Sequence, residues 1–328
     1  MKALLCKQFG QPESLVLSET GLPSPTRDQI LIKVKACGIN FPDSLIIQNK
    51  YQFKPELPFS PGGEVSGIVE SVGSNVKHVK VGDSVFALTG WGGLAEFVLT
   101  DAHKCLPMPE GMNFITAATT MYTCGTSLHA LKQRAKIQPG ETLLVLGAAG
   151  GVGLAAVQIG KLMGAKVIAA ASTDEKLAVC QALGADETIN YTKEDLRERI
   201  KVLSGEKGVD VVYDPVGDRF SEPAVRSLAW EGRYLVVGFA AGAPASIRLN
   251  LPLLKGAAIV GVFWGAFAQK QPKQSMENFQ QILSWIKSGQ LKQNIHQQYT
   301  LENGGQAIRD LMDRKVIGKN VVVVSSIK

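Results

Sequence analysis

The chain has few side chains able to hold a metal or to cross-link. Of its 328 residues, four are histidine (His78, His103, His129, His296) and five are cysteine (Cys6, Cys37, Cys105, Cys124, Cys180). No two histidines stand at HxxH or HxxxH spacing and no cysteines at CxxC, so a sequence-local metal site is excluded. An odd number of scattered cysteines reads as buried free thiols and not as a disulfide framework. Long apolar runs are missing as well. No stretch approaches the ~18 residues of a membrane span, and MKALLCKQFG is too short in apolar core and lacks the small-residue cleavage site of a secretory signal. The expected location is cytoplasmic, with no membrane partner. Charged residues make up 20%; the net charge of +6 lies mostly in the last quarter of the chain, as scattered residues and not as a basic run. A nucleic-acid surface interleaves basic and aromatic side chains, and with aromatics at 7% and no such patch, nucleic acid is not an expected partner.

What the chain has is length, apolar content and glycine. At 328 residues it exceeds a usual single core, which makes two domains the default. The telling stretch is ETLLVLGAAGGVGLAAVQIGKLM, Glu141 to Met163. An apolar run, Thr142 to Leu146, stops at Gly147, Gly150, Gly151 and Gly153. Helical apolar spacing then begins (Leu154, Val157, Ile159, Leu162). This reads as a buried parallel strand, a tight turn and a helix lying over the strand. Glycines there make the turn, let backbone N–H groups approach a pyrophosphate and pack helix on strand. The helix N-terminus adds partial positive charge where phosphates would sit. Gly150, Gly151, Val152 and Gly153 are therefore the expected phosphate-binding residues. The spacing is GxxGxxG and not the standard GxGxxG.

Alternating strands and helices follow: strand 166–171, helix 174–183, strand 187–191, helix 194–203, strand 209–213. These are βα units of the length that a right-handed crossover requires. Ligands of such sheets sit beyond the carboxyl ends of the strands. That places VDVVYDPVG, GRYLVVGFAAG (with Gly238) and IVGVFWG toward the dinucleotide. Residues 1–122 differ. Short alternating strands (29–35, 65–72, 84–88, 95–99) separated by Gly, Pro and Asp turns predict an antiparallel β-barrel or sandwich. After residue 271 come a helix (276–288), a strand-like piece (295–301), a helix (304–313) and a last strand (320–324). The last strand is too short to stand alone, so it is expected to return to the first domain.

The pieces GINFPD, PGGEVSG, AAGGVG, ADETINY, DVVYDPVG, GVFWG and GKNVVVV, in this order over nearly the whole chain, resemble the zinc-independent NADPH:quinone oxidoreductase branch of the medium-chain dehydrogenase/reductase superfamily. The resemblance implies an α/β protein: a discontinuous GroES-like, β-rich catalytic domain (1–125 and 266–328) and a Rossmann doubly wound parallel sheet (126–265). Zinc-dependent relatives carry a cysteine after the first motif and a His-Glu pair after the second. Asn40 and Gly63-Glu64 stand there in this chain, so no metal is expected. Without a Lewis acid to hold a developing alkoxide, the expected acceptor is one that spreads charge over its own conjugation, a quinone or an α,β-unsaturated carbonyl.

An NAD enzyme places Asp or Glu about 20 residues beyond the glycine turn, on the ribose 2′-OH. Ala170, Ala171 and Ser172 stand there instead, with Lys176 one turn into the next helix. Small residues and a lysine suit a 2′-phosphate, hence NADPH, with Ser172 and Lys176 as its residues; Asp174 reads as a helix N-terminal charge. The resemblance adds Tyr191 to that pocket. Around the nicotinamide it maps Asn40, Phe41, Tyr51, Thr126, Phe239, Phe263, Trp264 and Asn320. Asn40 and Tyr51 are the expected catalytic pair, offering amide N–H and phenolic O–H to a carbonyl oxygen. The second tyrosine of many related reductases is Leu45 here. The resemblance also implies a homodimer through the Rossmann edge strand, around 257–263. An enoyl thioester reductase is the alternative activity. An NADPH-binding structural or RNA-binding protein with weak catalysis is the alternative of another class.

Overall fold

The computed structural model describes residues 1–326. They form two compact units, Met1–Tyr122 with the segment from Ile295 onward, and Thr123–Asn294.

In the first unit the leading strands are β1 (Lys2–Leu5), β2 (Val16–Glu19), β3 (Gln29–Gly38), β4 (Glu64–Val72), β5 (Ser84–Leu88), β6 (Phe97–Asp101) and β7 (Cys105–Pro107). β3 is the spine: ten residues long, with Ile30, Ile32 and Val34 fully buried in one core cluster. Full burial of each such side chain contributes about 1.5–3 kcal/mol. β3 pairs antiparallel with β4 and with β6, and β4 pairs antiparallel with β5.

The second unit holds β8 (Thr142–Leu146), β9 (Lys166–Ala171), β10 (Glu187–Asn190), β11 (Val209–Asp214), β12 (Leu228–Val236) and β13 (Ala258–Gly261). Their order across the sheet is β10-β9-β8-β11-β12-β13, and every pairing is parallel. Strand order reverses between β8 and β11, so the glycine turn after β8 stands at the switch point where such sheets bind ligands.

The chain then returns. β14 (Ile295–Thr300) and β15 (Lys319–Val323) join the first unit's sheet, with β15 antiparallel to β3 through Val321↔Gly38 and parallel to β14. The expected return of the last strand is thus realised, and the β-rich first unit is mixed at this edge and antiparallel elsewhere.

The boundary is corrected: the return begins at Ile295 and not at 266. The helices Trp264–Lys270 and Pro272–Lys287 stay with the second unit because they bury their apolar and amide groups there. Phe267 stacks on His129 at 3.9 Å between ring centroids, and Phe279 meets Trp264 edge-on at 6.1 Å. Gln133 and Asn278 exchange hydrogen bonds of 3.0 and 3.1 Å. The first boundary also moves, from 125 to Tyr122.

One tight contact fixes the carboxyl end of β3. A Cβ on Gly38 would lie 2.0 Å from the Ala118 carbonyl oxygen, backbone that has no room to give. Gly38→Ala should therefore lower unfolding free energy in urea by about 3 kcal/mol. Gly21→Ala, with nothing within 4 Å, should change it by no more than about 1 kcal/mol. Equal midpoints for the two variants would show that the approach is looser than described.

Candidate active site

In the first unit the sheet brings three strand ends together. β3 ends at Gly38, β4 begins at Glu64 opposite it, and β15 begins at Lys319. The chain leaving β3 stays in register with β15, since Ile39 N–H donates to the Asn320 carbonyl at 3.0 Å. The Lys319 ammonium is buried among these ends. It donates to the Ile39 carbonyl at 2.8 Å and to Asn40 Oδ1 at 2.5 Å, and lies 3.5 Å from Glu64 Oε2. Lys319 and Glu64 form an ion pair whose side chains are 4% and 0% exposed. Glu64 spends its other oxygen on the Tyr122 backbone N–H, at 3.0 Å.

This network decides what Asn40 can do. Its Nδ2 donates to Glu64 Oε2 at 2.9 Å and to the Gly38 carbonyl at 3.3 Å, while its Oδ1 accepts from Lys319. Both amide hydrogens are spent inside the protein. The expectation that Asn40 offers N–H donors to an acceptor carbonyl is corrected accordingly. Asn40 instead starts the helix Phe41–Ile46, with Asp43 accepting from its backbone N–H at 2.7 Å. Asp43 also accepts from Gly62 N–H at 3.0 Å. Burial pushes the Asp43 carboxyl up to about 6, with the Asn40 N–H, Lys319 and the Gly62 N–H pulling the other way. Burial, with Asp43 and Glu64 nearby, holds the Cys37 thiol well above its ordinary range. Among the described residues no three His, Cys, Asp or Glu side chains come close enough to hold a metal ion.

Phe41 is the first residue of that helix and is half-buried. Past the helix the chain turns through Asn49 in the left-handed region (φ 57°), closed by Lys50 N–H on the Leu45 carbonyl at 2.9 Å. The turn leaves Tyr51 half-buried against the core, its ring 5.8 Å from that of Phe53. Tyr122, which the sequence reading passed over, joins Tyr51 by a side-chain hydrogen bond. Burial pushes the Tyr122 hydroxyl far up, and its contact with Tyr51 and the charges of Asp43 and Glu64 add to the rise. It therefore stays protonated. Nothing in the sequence around it marks Tyr122; only the fold sets it beside a residue 71 positions earlier. Asn320 is 1% exposed, and its amide donates to the Ala307 carbonyl at 3.0 Å, while its Oδ1 has no partner among the described residues.

In the second unit Gly150 is the N-cap of the helix Gly151–Leu162, with no side-chain cap. Among the described residues no backbone acceptor is found for the N–H groups of Gly151, Val152 and Gly153, and the first N–H groups of a helix suit an anion. At Gly153 the turn admits no side chain: a Cβ there would meet the Gly147 carbonyl at 2.4 Å. Ser127 ties the neighbouring helix Met121–Leu128, which carries half-buried Thr126, to this turn by donating to the Val152 carbonyl at 2.8 Å. Beyond β9 and β10, whose ends pair as Asn190↔Ala171, stand Ser172 and Tyr191. Lys176 Nζ is 3.3 Å from Ser172 Oγ, and Tyr191 packs against Phe220 at 4.5 Å. Asp174 is fully engaged elsewhere, by Asn190 at 2.6 Å and Lys193 at 2.6 Å. Past β12, Gly238 and Phe239 lie against the turn after β11: a Cβ on Gly217 would meet Phe239 at 3.1 Å. Phe263 is exposed, whereas Trp264 is buried against Phe279 with its indole over Gly125. Trp264 therefore serves the core of its unit.

The Lys319 network has a measurable signature. Lys319→Met strands a buried carboxylate and should cost about 3–5 kcal/mol of stability. Adding Glu64→Gln removes the unpaired charge and should return much of that loss. Urea denaturation of the two variants compares them; a double variant no more stable than Lys319→Met would show that the pair is not coupled.

Comparison with known proteins follows this geometry. Residues 26–110 match the alcohol dehydrogenase GroES-like domain and residues 151–287 the zinc-binding dehydrogenase family. The chain is 39% identical to the quinone oxidoreductase-like protein 2 of Bos taurus, over 97% of this chain and 91% of that protein. Among solved structures, Escherichia coli quinone oxidoreductase complexed with NADPH is similar at a TM-score of 0.92 and 32% identity, covering 99% of this chain and 100% of that one. The CurK enoyl reductase is similar at a TM-score of 0.89 and 27% identity, covering 99% of each chain. With both domains matched and its whole length aligned, the chain belongs to the quinone oxidoreductase branch of the medium-chain dehydrogenase/reductase superfamily.

Proposed function

We propose that this oxidoreductase is NADPH-dependent and zinc-independent, and that it reduces a quinone or an α,β-unsaturated carbonyl. The observation that carries the proposal is the buried Lys319 ammonium, bonded to Asn40 and close to Glu64. The cation at the head of the first unit's sheet is a side chain. Lys319 is enclosed, spent on the protein, and cannot hold a substrate oxygen. An ordinary ketone would have no Lewis acid to stabilise its alkoxide. A conjugated acceptor spreads that charge itself.

The second unit supplies the nucleotide's cradle. The N–H groups of Gly151, Val152 and Gly153 face the pyrophosphate, and the bare turn lets it approach. Lys176 and Ser172, with Tyr191 beside them, hold the 2′-phosphate; no carboxylate competes, because Asp174 is bound to Asn190 and Lys193. Phe239 and Phe263, which follow β12 and β13, and Thr126 on the helix Met121–Leu128 line the nicotinamide side in this reading. NADPH, when bound, supplies the hydride. In the first unit Tyr51 is the proton donor to the acceptor oxygen, since Asn40 has no free N–H.

Purified protein assayed with quinones, alkenals and enoyl thioesters should turn over quinones or alkenals with NADPH well ahead of NADH. Lys176→Ala should raise KM for NADPH about tenfold or more and leave KM for NADH nearly unchanged. NADH equal to NADPH, or chelator-sensitive oxidation of plain alcohols with stoichiometric zinc, would overturn the proposal. The likeness to an enoyl reductase favours enoyl thioesters as the second reading, and their preference over every quinone in the panel would establish it.

We also propose a homodimer through β13. It is the outermost strand of its sheet, so one edge is unpaired, and Ile259 on it is exposed. The linked segment exposes Leu249, Leu253, Leu254 and Trp230, each more than 70% accessible. An unpaired edge beside such an apolar patch is suited to a second copy. Sedimentation should give about twice 35.1 kDa, and Ile259→Lys should give the monomer. A wild-type monomer at micromolar concentration would reject the dimer.

A further inference from the structure

The last residue of β11 is a buried carboxylate, Asp214, 1% exposed. Four donors meet its charge. Oδ1 accepts from the Val216 N–H at 2.7 Å and the Gly217 N–H at 2.8 Å. Oδ2 accepts from the Ser221 hydroxyl at 3.1 Å and from the Tyr234 hydroxyl. A carboxylate taken out of water needs such donors, and supplying them bends the chain. Residues 215–217 must curl back over the end of β11 to present two N–H groups in succession. Gly217 completes the curl in the left-handed region, at φ 74°, where glycine meets little steric cost.

The curled segment touches structure on both sides. On one side the Val216 side chain lies against the turn after β8: a Cβ on Gly147 would meet Val216 Cγ2 at 2.7 Å. On the other side it suspends the chain that leaves β12. The Asp214 carbonyl accepts from the Val237 N–H at 2.9 Å and the Gly238 N–H at 3.3 Å. The Pro215 carbonyl accepts from Ala240 N–H at 3.0 Å, and that of Val216 from Ala241 N–H at 2.9 Å. Phe239 stands in the middle of these bonds. It rests against Gly217, where a Cβ would come within 3.1 Å of Phe239 Cδ1, and it is still 40% exposed. A ring so anchored and partly bare offers a fixed wall to a ligand.

We propose that Asp214 is a positioning residue for the nicotinamide: by shaping residues 215–217 it holds Phe239 at a set offset from the glycine turn after β8. This rests on the reading of the second unit as the NADPH site and adds the group that sets its geometry. In that reading the pyrophosphate and the 2′-phosphate have anchors of their own, at the glycine turn and at Lys176. Phe239 contributes the depth and angle of the ring at the other end. Hydride transfer depends steeply on such placement, and a shift of about 1 Å can cost about 100-fold in rate. Loss of Asp214 is therefore felt in kcat and not in NADPH affinity. An amide replaces the acid in part. Asparagine keeps one oxygen for the two N–H groups, and the Ser221 and Tyr234 hydroxyls can accept from its Nδ2.

The test compares wild type with Asp214→Ala, Asp214→Asn, Gly217→Ala, Phe239→Ala and the double variant of Asp214→Ala with Phe239→Ala. The assay uses NADPH carrying deuterium at the transferred C4 position, and the acceptor that wild type turns over best among the quinones and alkenals. In the protein without nucleotide, amide exchange over residues 237–241 should rise about tenfold or more in Asp214→Ala while β8 keeps its protection. Asp214→Ala should lower kcat about 10- to 100-fold, raise the deuterium isotope effect on kcat, and leave Kd for NADPH, read from its fluorescence, within about threefold. Asp214→Asn should recover most of the lost rate. Gly217→Ala, which presses on Phe239 and leaves the carboxylate in place, should reproduce the kcat and isotope signature, and it decides the matter if Asp214→Ala does not fold. The double variant should be little worse than Phe239→Ala alone, because Asp214 acts through that ring. A kcat that falls only with the folded fraction, at an unchanged isotope effect, would make Asp214 a stabiliser of the fold and overturn the proposal. Additive losses in the double variant, a defect seated in NADPH affinity, or wild-type kcat in Gly217→Ala would overturn it too. A wild type that binds no NADPH, or turns over none of the acceptors, would instead overturn the functional reading beneath it.

Discussion

A single buried cation organises the first unit. Removing an ammonium from water costs several kcal/mol unless oxygens replace its hydration. Lys319 finds them on two segments far from it in the sequence: the carbonyl of Ile39 and the amide oxygen of Asn40 on one, and the carboxylate of Glu64 on the other. Meeting that demand joins the ends of β3, β4 and β15 at one point. It also orients everything next to that point. Asn40 is turned inward, Glu64 is left one oxygen with which to hold Tyr122, and Asp43 is drawn into bracing the backbone of Asn40 and Gly62. A packing requirement thus keeps these polar groups inside the protein: both amide hydrogens of Asn40 and both oxygens of Glu64 are spent there.

The second unit solves a different problem, how to bring an anion onto backbone. Side chains would stand in the way, so the turn after β8 is built from glycines. The helix it opens begins with no side-chain cap. The cost in chain entropy is borne by the apolar strand and helix on either side, Leu143 to Leu146 and Leu154 to Ile159, which are buried almost completely. Asp174, the carboxylate nearest the end of β9, is neutralised by Lys193 and bonded by Asn190, and Lys176 stands beside Ser172.

Period and punctuation made most of the elements legible. The apolar runs bounded by glycine located β8, β9, β10 and β11 to within a residue or two, and the alternation of short strands identified the β-rich first unit. What periodicity could not show was loyalty. The helix Pro272–Lys287 has the same amphipathic pattern whichever unit it covers. Its assignment depended on Asn278 finding Gln133 and on Phe279 finding Trp264. The same limit applied at the site. A motif names the residue types near the chemistry, and Asn40 and Asn320 were both in motifs; the direction in which each amide points is set by neighbours outside the motif, Glu64 and Lys319 for Asn40 and Ala307 for Asn320.

By itself the sequence determined the alternation of βα units, the glycine turn that leaves backbone donors bare, and the absence of clustered metal ligands. These are local properties, written in spacing and in residue size. Only the tertiary structure decided that Lys319 is a buried counterion, that Asn40 has no donor to spare and that Tyr122 stands against Tyr51. Each of these is a hydrogen bond between residues distant in the chain, and its existence depends on strand register and burial, which no local pattern encodes.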